Sequence, residues 1–327
     1  MNYDNLMTAP PVIRDFLTYN ETIRGKSARS VDEYYLDLQT FFRYILMSRG
    51  KADSEDFEKI GIKDVDIELI KTVTMSDIYA FLVYCKNERG NNTATRARKI
   101  STLRIFFKFL TVQTRQLETN PTELLESPKI KQSLPKHLTL DDSLNLLGCV
   151  DGVYKERDYC ILVFFLNCGM RLSELCGINL SDISSDGALK LLGKGNKERT
   201  VYLNDSCKQA LEAYLKVRPC EGLRGDARDA LFVSRNGNRI SAKTVQYTVK
   251  KYLDKAGLSG RGLSTHKLRH TAATLMYQYG NVDIRVLKDI LGHSNLGTTQ
   301  IYTHVSDSQV KSAIDANPLS EVTPKKQ

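Results

Sequence analysis

The sequence predicts a mainly α-helical protein of two domains with one small antiparallel β-sheet: an N-terminal helical domain followed by an α+β domain. Three observations predict it. Amphipathic stretches at helical spacing, opened by capping residues and closed by glycine, fill the first third of the chain. Residues 127–138, SPKIKQSLPKHL, carry Pro128 and Pro135 among basic residues, with no acid and no periodicity, which is linker composition. Beyond them, two alternating runs flank the turn KGNK, the pattern of a hairpin. A chain of 327 residues also exceeds the usual size of one domain, so the division reads as residues 1–126, a linker at 127–138, and 139–327.

In the first domain, PVIRDFLTYNETIRG is amphipathic and ends in Gly25. Ser27 or Ser30 then opens SVDEYYLDLQTFFRYILMSRG, with Tyr34, Leu38, Phe41, Phe42 and Ile45 on one face. Residues 50–73 are polar and poorly periodic, a loop or short helix. Thr74 with Asp77 makes a capping box for MSDIYAFLVYCKNERG. From Thr93 to Arg115 the chain reads TATRARKISTLRIFFKFLTVQTR, with Lys and Arg but no acid. Ile100, Leu103, Phe107 and Leu110 share one face of that helix, and Arg104, Lys108 and Arg115 share another. The basic face is either solvated or, because acids are not interleaved with it, offered to a phosphate backbone together with Arg96 and Arg98.

In the second domain Thr139 with Asp142 opens a new helix, apolar helices follow, and GALKLLGKGNKERTVYL forms the hairpin with Lys194 at its tip. Helices then run to the end. One of them begins THKLRHTAATLMYQYG, with Thr265 as cap and Gly280 as stop. By itself that stretch is a helix start in which His266 and His270 are incidental.

Composition narrows the class. Lys and Arg number 47 against 38 Asp and Glu, a formal charge of +9, which favours a polyanionic partner without naming one. The seven cysteines form no CxxC pair and read as buried, reduced thiols of a cytoplasmic protein, not as a disulfide frame or zinc site. The start, MNYDNLMTAPPVIRDF, is not a signal peptide, and the longest apolar run, CILVFFLNCGM, is too short to span a bilayer. The expectation is therefore a protein with no membrane association.

Four scattered segments of the second domain place basic or hydroxyl groups in unusual settings: CGMRLSEL, GKGNKER, HKLRH with LGH, and TTQIYTHV. Arg171 follows a glycine where an apolar helix gives way to another, so a charge lies at the end of a buried segment, which is costly unless an anion meets it. Clustered carboxylates of the kind a metal-dependent nuclease or transposase needs do not accompany these groups, and no cofactor is implied.

The text and order of these segments resemble the tyrosine recombinase (phage integrase) family, most closely its Xer-type branch, over nearly the whole chain. The resemblance implies a helical, SAM-like core-binding domain, a basic linker, and an α+β catalytic domain ending in a helix that docks on a neighbouring protomer. It implies that Arg171 and Arg269 are the catalytic arginines, Lys194 the hairpin lysine, His266 and His293 the active-site histidines, and Tyr302 the nucleophile. Lys197 neighbours Lys194, and Tyr302 is one of 16 tyrosines, singled out by its place after His293. Gly297 departs from the helix former expected in the segment carrying Tyr302. His266 and Arg269 lie one helical turn apart and so point at one phosphate, with His270 on a different side. The partners implied are double-stranded DNA and a homotetramer on two DNA sites, with a second recombinase or a DNA translocase as further partners. The leading task is resolution of chromosome dimers at a dif-like site. The alternative is the integrase of a mobile element, which often adds an arm-binding domain that this N-terminus leaves no room for. A type IB topoisomerase and a catalytically dead DNA-binding protein rank below both.

Overall fold

In the computed structural model, which describes residues 3–128, 136–193, 198–280 and 282–292, the chain divides into two units, residues 1–132 and 133–327. Each unit builds its own hydrophobic core. The first contains helices α1 (Tyr3–Thr8), α2 (Pro11–Thr22), α3 (Ala28–Ser48), α4 (Ile67–Lys71), α5 (Met75–Asn87) and α6 (Thr93–Lys108). Ser27 caps α3 by accepting from the Ser30 N–H, and Thr74 with Asp77 forms the expected capping box on α5. Phe41 on α3 meets Phe81 of α5 and Phe107 of α6 edge to face, while Phe16 of α2 meets Phe106 of α6 in the same manner.

Residues 50–73 are turns and a short helix, as read, but they bury Ile60, Ile62, Val65, Ile70 and Val73 without a helical period. One element departs from the sequence reading. The helix expected to run from 93 to 115 ends at Lys108 and widens into a π-turn over Phe109–Gln113. That wider turn sends both Phe109 and Leu110 into the core, Phe109 against Phe16 and Tyr19, and the chain leaves it at Arg115 with φ of 54°.

The basic helix α6 finds its acids on α3. Asp37, 1% exposed, accepts from Arg98 Nη1 at 2.6 Å, from the buried Lys99 Nζ at 3.0 Å and from Thr102 Oγ1 at 2.8 Å. Arg98 also pairs with Glu33 at 3.0 Å. Arg96 donates to the Asn91 carbonyl and Arg104 to Ser127 Oγ, whereas Lys108 and Arg115 are exposed. An ion pair between α3 and α6 is invisible to a pattern read within one helix.

The second unit contains α7 (Leu140–Gly148), α8 (Lys155–Cys168), α9 (Leu172–Gly177), strands β1 (Ala188–Leu192) and β2 (Glu198–Tyr202), then α10 (Asp205–Val217), α11 (Ala242–Lys255), α12 (Thr265–Tyr279) and α13 (Ile284–Leu291). Helix α8 buries residues from Ile161 to Leu166 in unbroken succession and is packed by α10 and α12. A helix apolar all round belongs at the centre of a domain. Thr139 and Asp142 cap α7 as expected. The strands pair antiparallel, Leu189 opposite Val201 and Leu191 opposite Arg199, and the tip, residues 194–197, lies outside the described residues. Helix α12 begins one residue earlier than its expected cap: Ser264 holds the N-cap position and Thr265 is buried in the first turn. Of the cysteines expected to be buried, Cys85, Cys160, Cys168 and Cys207 are; Cys149 and Cys176 are partly covered and Cys220 is exposed. Among the described residues no helix is long and apolar enough to cross a membrane.

Removing the Asp37 carboxylate leaves Lys99 buried without its counter-charge, which costs about 3–5 kcal/mol where such pairs have been broken. Asp37→Ala should lower the stability of the full chain by that order in urea denaturation. A loss under about 1 kcal/mol would show that the pair does not hold α3 against α6.

Candidate active site

The polypeptide turns sharply after α8. Gly169 takes φ of 57°, and a Cβ there would stand 2.9 Å from Leu291 Cδ2, so the turn needs glycine both for its backbone angle and for the approach of α13. Two residues later Arg171 is the N-cap residue of α9, and Glu174 sits in the first turn of that helix. The Glu174 side chain is fully buried. Its Oε2 accepts from the Arg171 backbone N–H at 2.7 Å and its Oε1 from Arg171 Nη1 at 2.7 Å. A carboxylate in the first helical turn satisfies an N–H that the helix leaves unpaired.

Two more guanidiniums converge on the same carboxylate. Arg199 of β2 donates from Nη2 to Glu174 Oε2 at 2.6 Å, and Arg269 of α12 stands 3.8 Å from that oxygen. Burial alone would push the Glu174 carboxyl up, but the hydrogen bonds and charges of Arg199 and Arg171 more than offset it and hold the group below the usual carboxylate range. The anion that Arg171 requires at the end of a buried helix is therefore supplied by the protein itself.

The same arginines grip the end of α13. Arg171 Nη2 donates to the Gly292 carbonyl at 2.8 Å; Arg269 donates from Nη2 to the Leu291 carbonyl at 2.5 Å and from Nη1 to the Gly169 carbonyl at 2.7 Å. Those carbonyls of α13 are the groups a helix leaves unpaired at its negative end, where cations are favoured. Gly292 closes the helix in the left-handed conformation, φ 60°. A Cβ on it would come within 2.7 Å of Arg199 Cδ and 3.6 Å of Arg171 Nη1.

One turn before Arg269, His266 is exposed, while His270, one turn after His266, is buried. The two rings share a face of α12, with Nε2 atoms 3.0 Å apart and ring planes at 81°. His270 is therefore not on a different side from His266 but directly behind it, as the four-residue spacing requires. One ring donates and the other accepts, so both facing nitrogens cannot carry a proton together. Partial loss of water around the ring, then the charges of Arg269, Lys267 and Arg171, lower the His266 pKa.

Of the residues singled out from the sequence, Arg171, Arg269 and His266 come from two helices and meet here. Lys194, His293 and Tyr302, with Gly297 and the terminal helix, lie outside the described residues. Sequence reasoning passed over three participants. Glu174 was signalled by its place three residues after Arg171, the spacing of a first-turn acid. Arg199 was hidden in a hairpin read only for its lysines, and His270 was set aside though it shares the spacing that places side chains on one face.

The chain is similar to known proteins over most of its length. Residues 136–309 match the phage integrase family and residues 55–114 its N-terminal SAM-like domain. The tyrosine recombinase XerC of Caldanaerobacter subterraneus subsp. tengcongensis is 51% identical over 322 residues, covering 98% of this chain and 90% of the relative. The tyrosine recombinase XerD of Proteus mirabilis is 35% identical over 303 residues, 92% of this chain and 90% of the relative. Among solved structures, XerH site-specific recombinase in a post-cleavage complex with palindromic difH substrate shares the fold, with TM-score 0.70 and 21% identity over 93% of this chain and 84% of that one. The Tn1549 transposon integrase in complex with transposon right end DNA does so with TM-score 0.67 and 20% identity, over 93% of this chain and 98% of that one.

Gly292→Ala should destabilise the chain in thermal denaturation by at least about 1–2 kcal/mol, the cost of placing a side chain in the left-handed region, with the Arg199 contact added. Gly177→Ala, where nothing stands within 4 Å of an added Cβ, should change stability by under about 0.5 kcal/mol. Equal effects at the two positions would refute the close-packed account of Gly292.

Proposed function

Because the chain belongs to the phage integrase family and is a site-specific tyrosine recombinase of the Xer type, we propose that it cuts and rejoins double-stranded DNA through a 3′-phosphotyrosine at Tyr302, resolving chromosome dimers at a dif-like site in the cytoplasm. The observation that carries the residue assignment is the meeting of Arg171 and Arg269, from separate helices, at Glu174 and at successive carbonyls of α13. Two guanidiniums held at fixed positions suit the paired non-bridging oxygens of a phosphodiester better than lysines would. Arg171 keeps about a third of its side chain exposed, 35%, on which a phosphate can be met.

The chemistry follows from these groups. The Tyr302 phenol oxygen attacks phosphorus, a P–O bond to the tyrosine forms, and the bond to the 5′-oxygen breaks, so that bond energy is kept for rejoining by a free 5′-hydroxyl. Arg171 and Arg269 neutralise the charge that gathers on the non-bridging oxygens. His266, whose pKa is lowered by partial desolvation and nearby cations, assists removal of the phenol proton. Lys194 gives a proton to the departing 5′-oxygen, and His293 donates a hydrogen bond to a phosphate oxygen. No metal is required for these steps as written.

The XerH and Tn1549 structures are complexes with DNA, which supports a duplex as the partner here. On the first unit Arg96, Arg98, Arg104, Lys108 and Arg115 are the proposed phosphate contacts, of which Arg98, Lys108 and Arg115 are exposed. The working assembly is a tetramer on two sites, joined through the helix that follows Tyr302, with a second recombinase or a translocase as further partners. The chromosomal task is preferred to that of a mobile-element integrase because the curated relatives at 51% and 35% identity are XerC and XerD proteins.

Tyr302→Phe should bind its DNA site with unchanged affinity and form no covalent adduct on a nicked suicide substrate. An adduct from the Phe variant would overturn Tyr302 as the nucleophile.

A further inference from the structure

Arg199 is buried more deeply than the site's surface chemistry calls for. Its side chain is 10% exposed, and only Nη2 is accounted for, by Glu174. Nε and Nη1 are buried and have no hydrogen-bond partner among the described residues. Buried donors without acceptors are rare and costly, so a guanidinium left in this state within a cluster of three calls for a physical reason.

The reason lies in the distances around Glu174 Oε2. Arg199 holds that oxygen at 2.6 Å, the Arg171 N–H at 2.7 Å, and Arg269 is kept at 3.8 Å, beyond hydrogen-bonding range. Glu174 is fully buried and anionic, so an oxygen stripped of Arg199 would draw in a further cation. Of the two guanidiniums that remain, Arg171 already donates to Oε1 at 2.7 Å, whereas Arg269, 3.8 Å from Oε2, has yet to close on the carboxylate. To reach Oε2 it would have to shift from the Leu291 and Gly169 carbonyls that now fix its position.

We propose that Arg199 is a positioning residue for strand cleavage: by saturating Glu174 Oε2 it prevents the carboxylate from capturing Arg269 and keeps both Arg171 and Arg269 turned to the phosphate. Three guanidiniums against one carboxylate leave the cluster with more positive than negative charge, which favours an anion beside it. Arg199 lies on β2 and also packs against Gly292 at the end of α13, so the residue ties both segments to the carboxylate of α9. The proposal rests on the reading of Arg171 and Arg269 as phosphate ligands.

The test is single-turnover cleavage at saturating DNA by the full chain and by Arg199→Met, Arg199→Lys, Glu174→Gln and the Arg199→Met/Glu174→Gln double variant. Arg199→Met should slow cleavage by about 10²-fold, the scale of a misplaced catalytic group, with half-saturation unchanged. Arg199→Lys keeps one donor for Oε2 and should fall between wild type and Arg199→Met, which retains a readout even where the Met variant folds poorly. The double variant should be no slower than the slower single, because the neutral amide that Glu174→Gln introduces no longer captures Arg269. Cleavage by Arg199→Met at the wild-type rate, a change in half-saturation alone, an Arg199→Lys rate no better than that of Met, or a double-variant loss equal to the product of the single losses would each overturn the proposal. Tyr302→Phe in the same assay keeps the two readings apart: a Phe variant that forms the adduct removes Tyr302 as nucleophile and leaves the comparison among Arg199 variants intact.

Discussion

One buried carboxylate organises the catalytic unit. Glu174 is fully enclosed, and a charge in that position is tolerable only when its lone pairs are filled by strong donors. Arg171 and Arg199 fill them, and Arg269 is drawn to within 3.8 Å. Because these residues reside on α9, β2 and α12, satisfying one side chain fixes the mutual positions of three elements that are far apart along the chain. The cost of burying Glu174 is thus offset by contacts that also gather three guanidiniums in one place.

The second consequence is mechanical. Arg171 and Arg269 hold the carbonyls of Gly292 and Leu291, and Gly292 has no side chain because Arg199 occupies the space one would need. The end of α13 is therefore a ligand of the arginine cluster, and the chain that continues toward His293 and Tyr302 leaves from a point the arginines control. Under the proposed reading, a phosphate arriving among the guanidiniums competes with these carbonyls, so substrate binding and the placement of the nucleophile's segment are coupled through the same hydrogen bonds.

What was legible in the sequence was whatever depends on near neighbours. The capping boxes at Thr74 and Thr139, the hairpin strands and the apolar α8 all follow from spacings of a few residues, and the structure has them. The π-turn after Lys108 and the buried turns of residues 50–73 were not legible, since both satisfy the core without a repeating period. At the site, Arg171 stood out as a charge at the end of a buried segment, and His266 and Arg269 through the resemblance to the family. Their partners did not: Arg199 reaches Glu174 across two elements, and Asp37 reaches Arg98 and Lys99 from another helix. His270 was the avoidable miss, because the four-residue spacing to His266 already put both rings on one face.

The central claim is that the surplus positive charge around Glu174 exists to meet one negatively charged phosphate. The direct measurement is cleavage by wild type and Arg171→Ala of two substrates, one with an ordinary scissile phosphate and one with a neutral methylphosphonate there. On the phosphate the loss should be about 10²–10³-fold, the effect of removing one donor from a developing oxyanion, and on the methylphosphonate, where less charge needs neutralising, the deficit relative to wild type should shrink by at least about tenfold. An equal deficit on both substrates would contradict the account, because Arg171 would then be acting on something other than the charge of the phosphate.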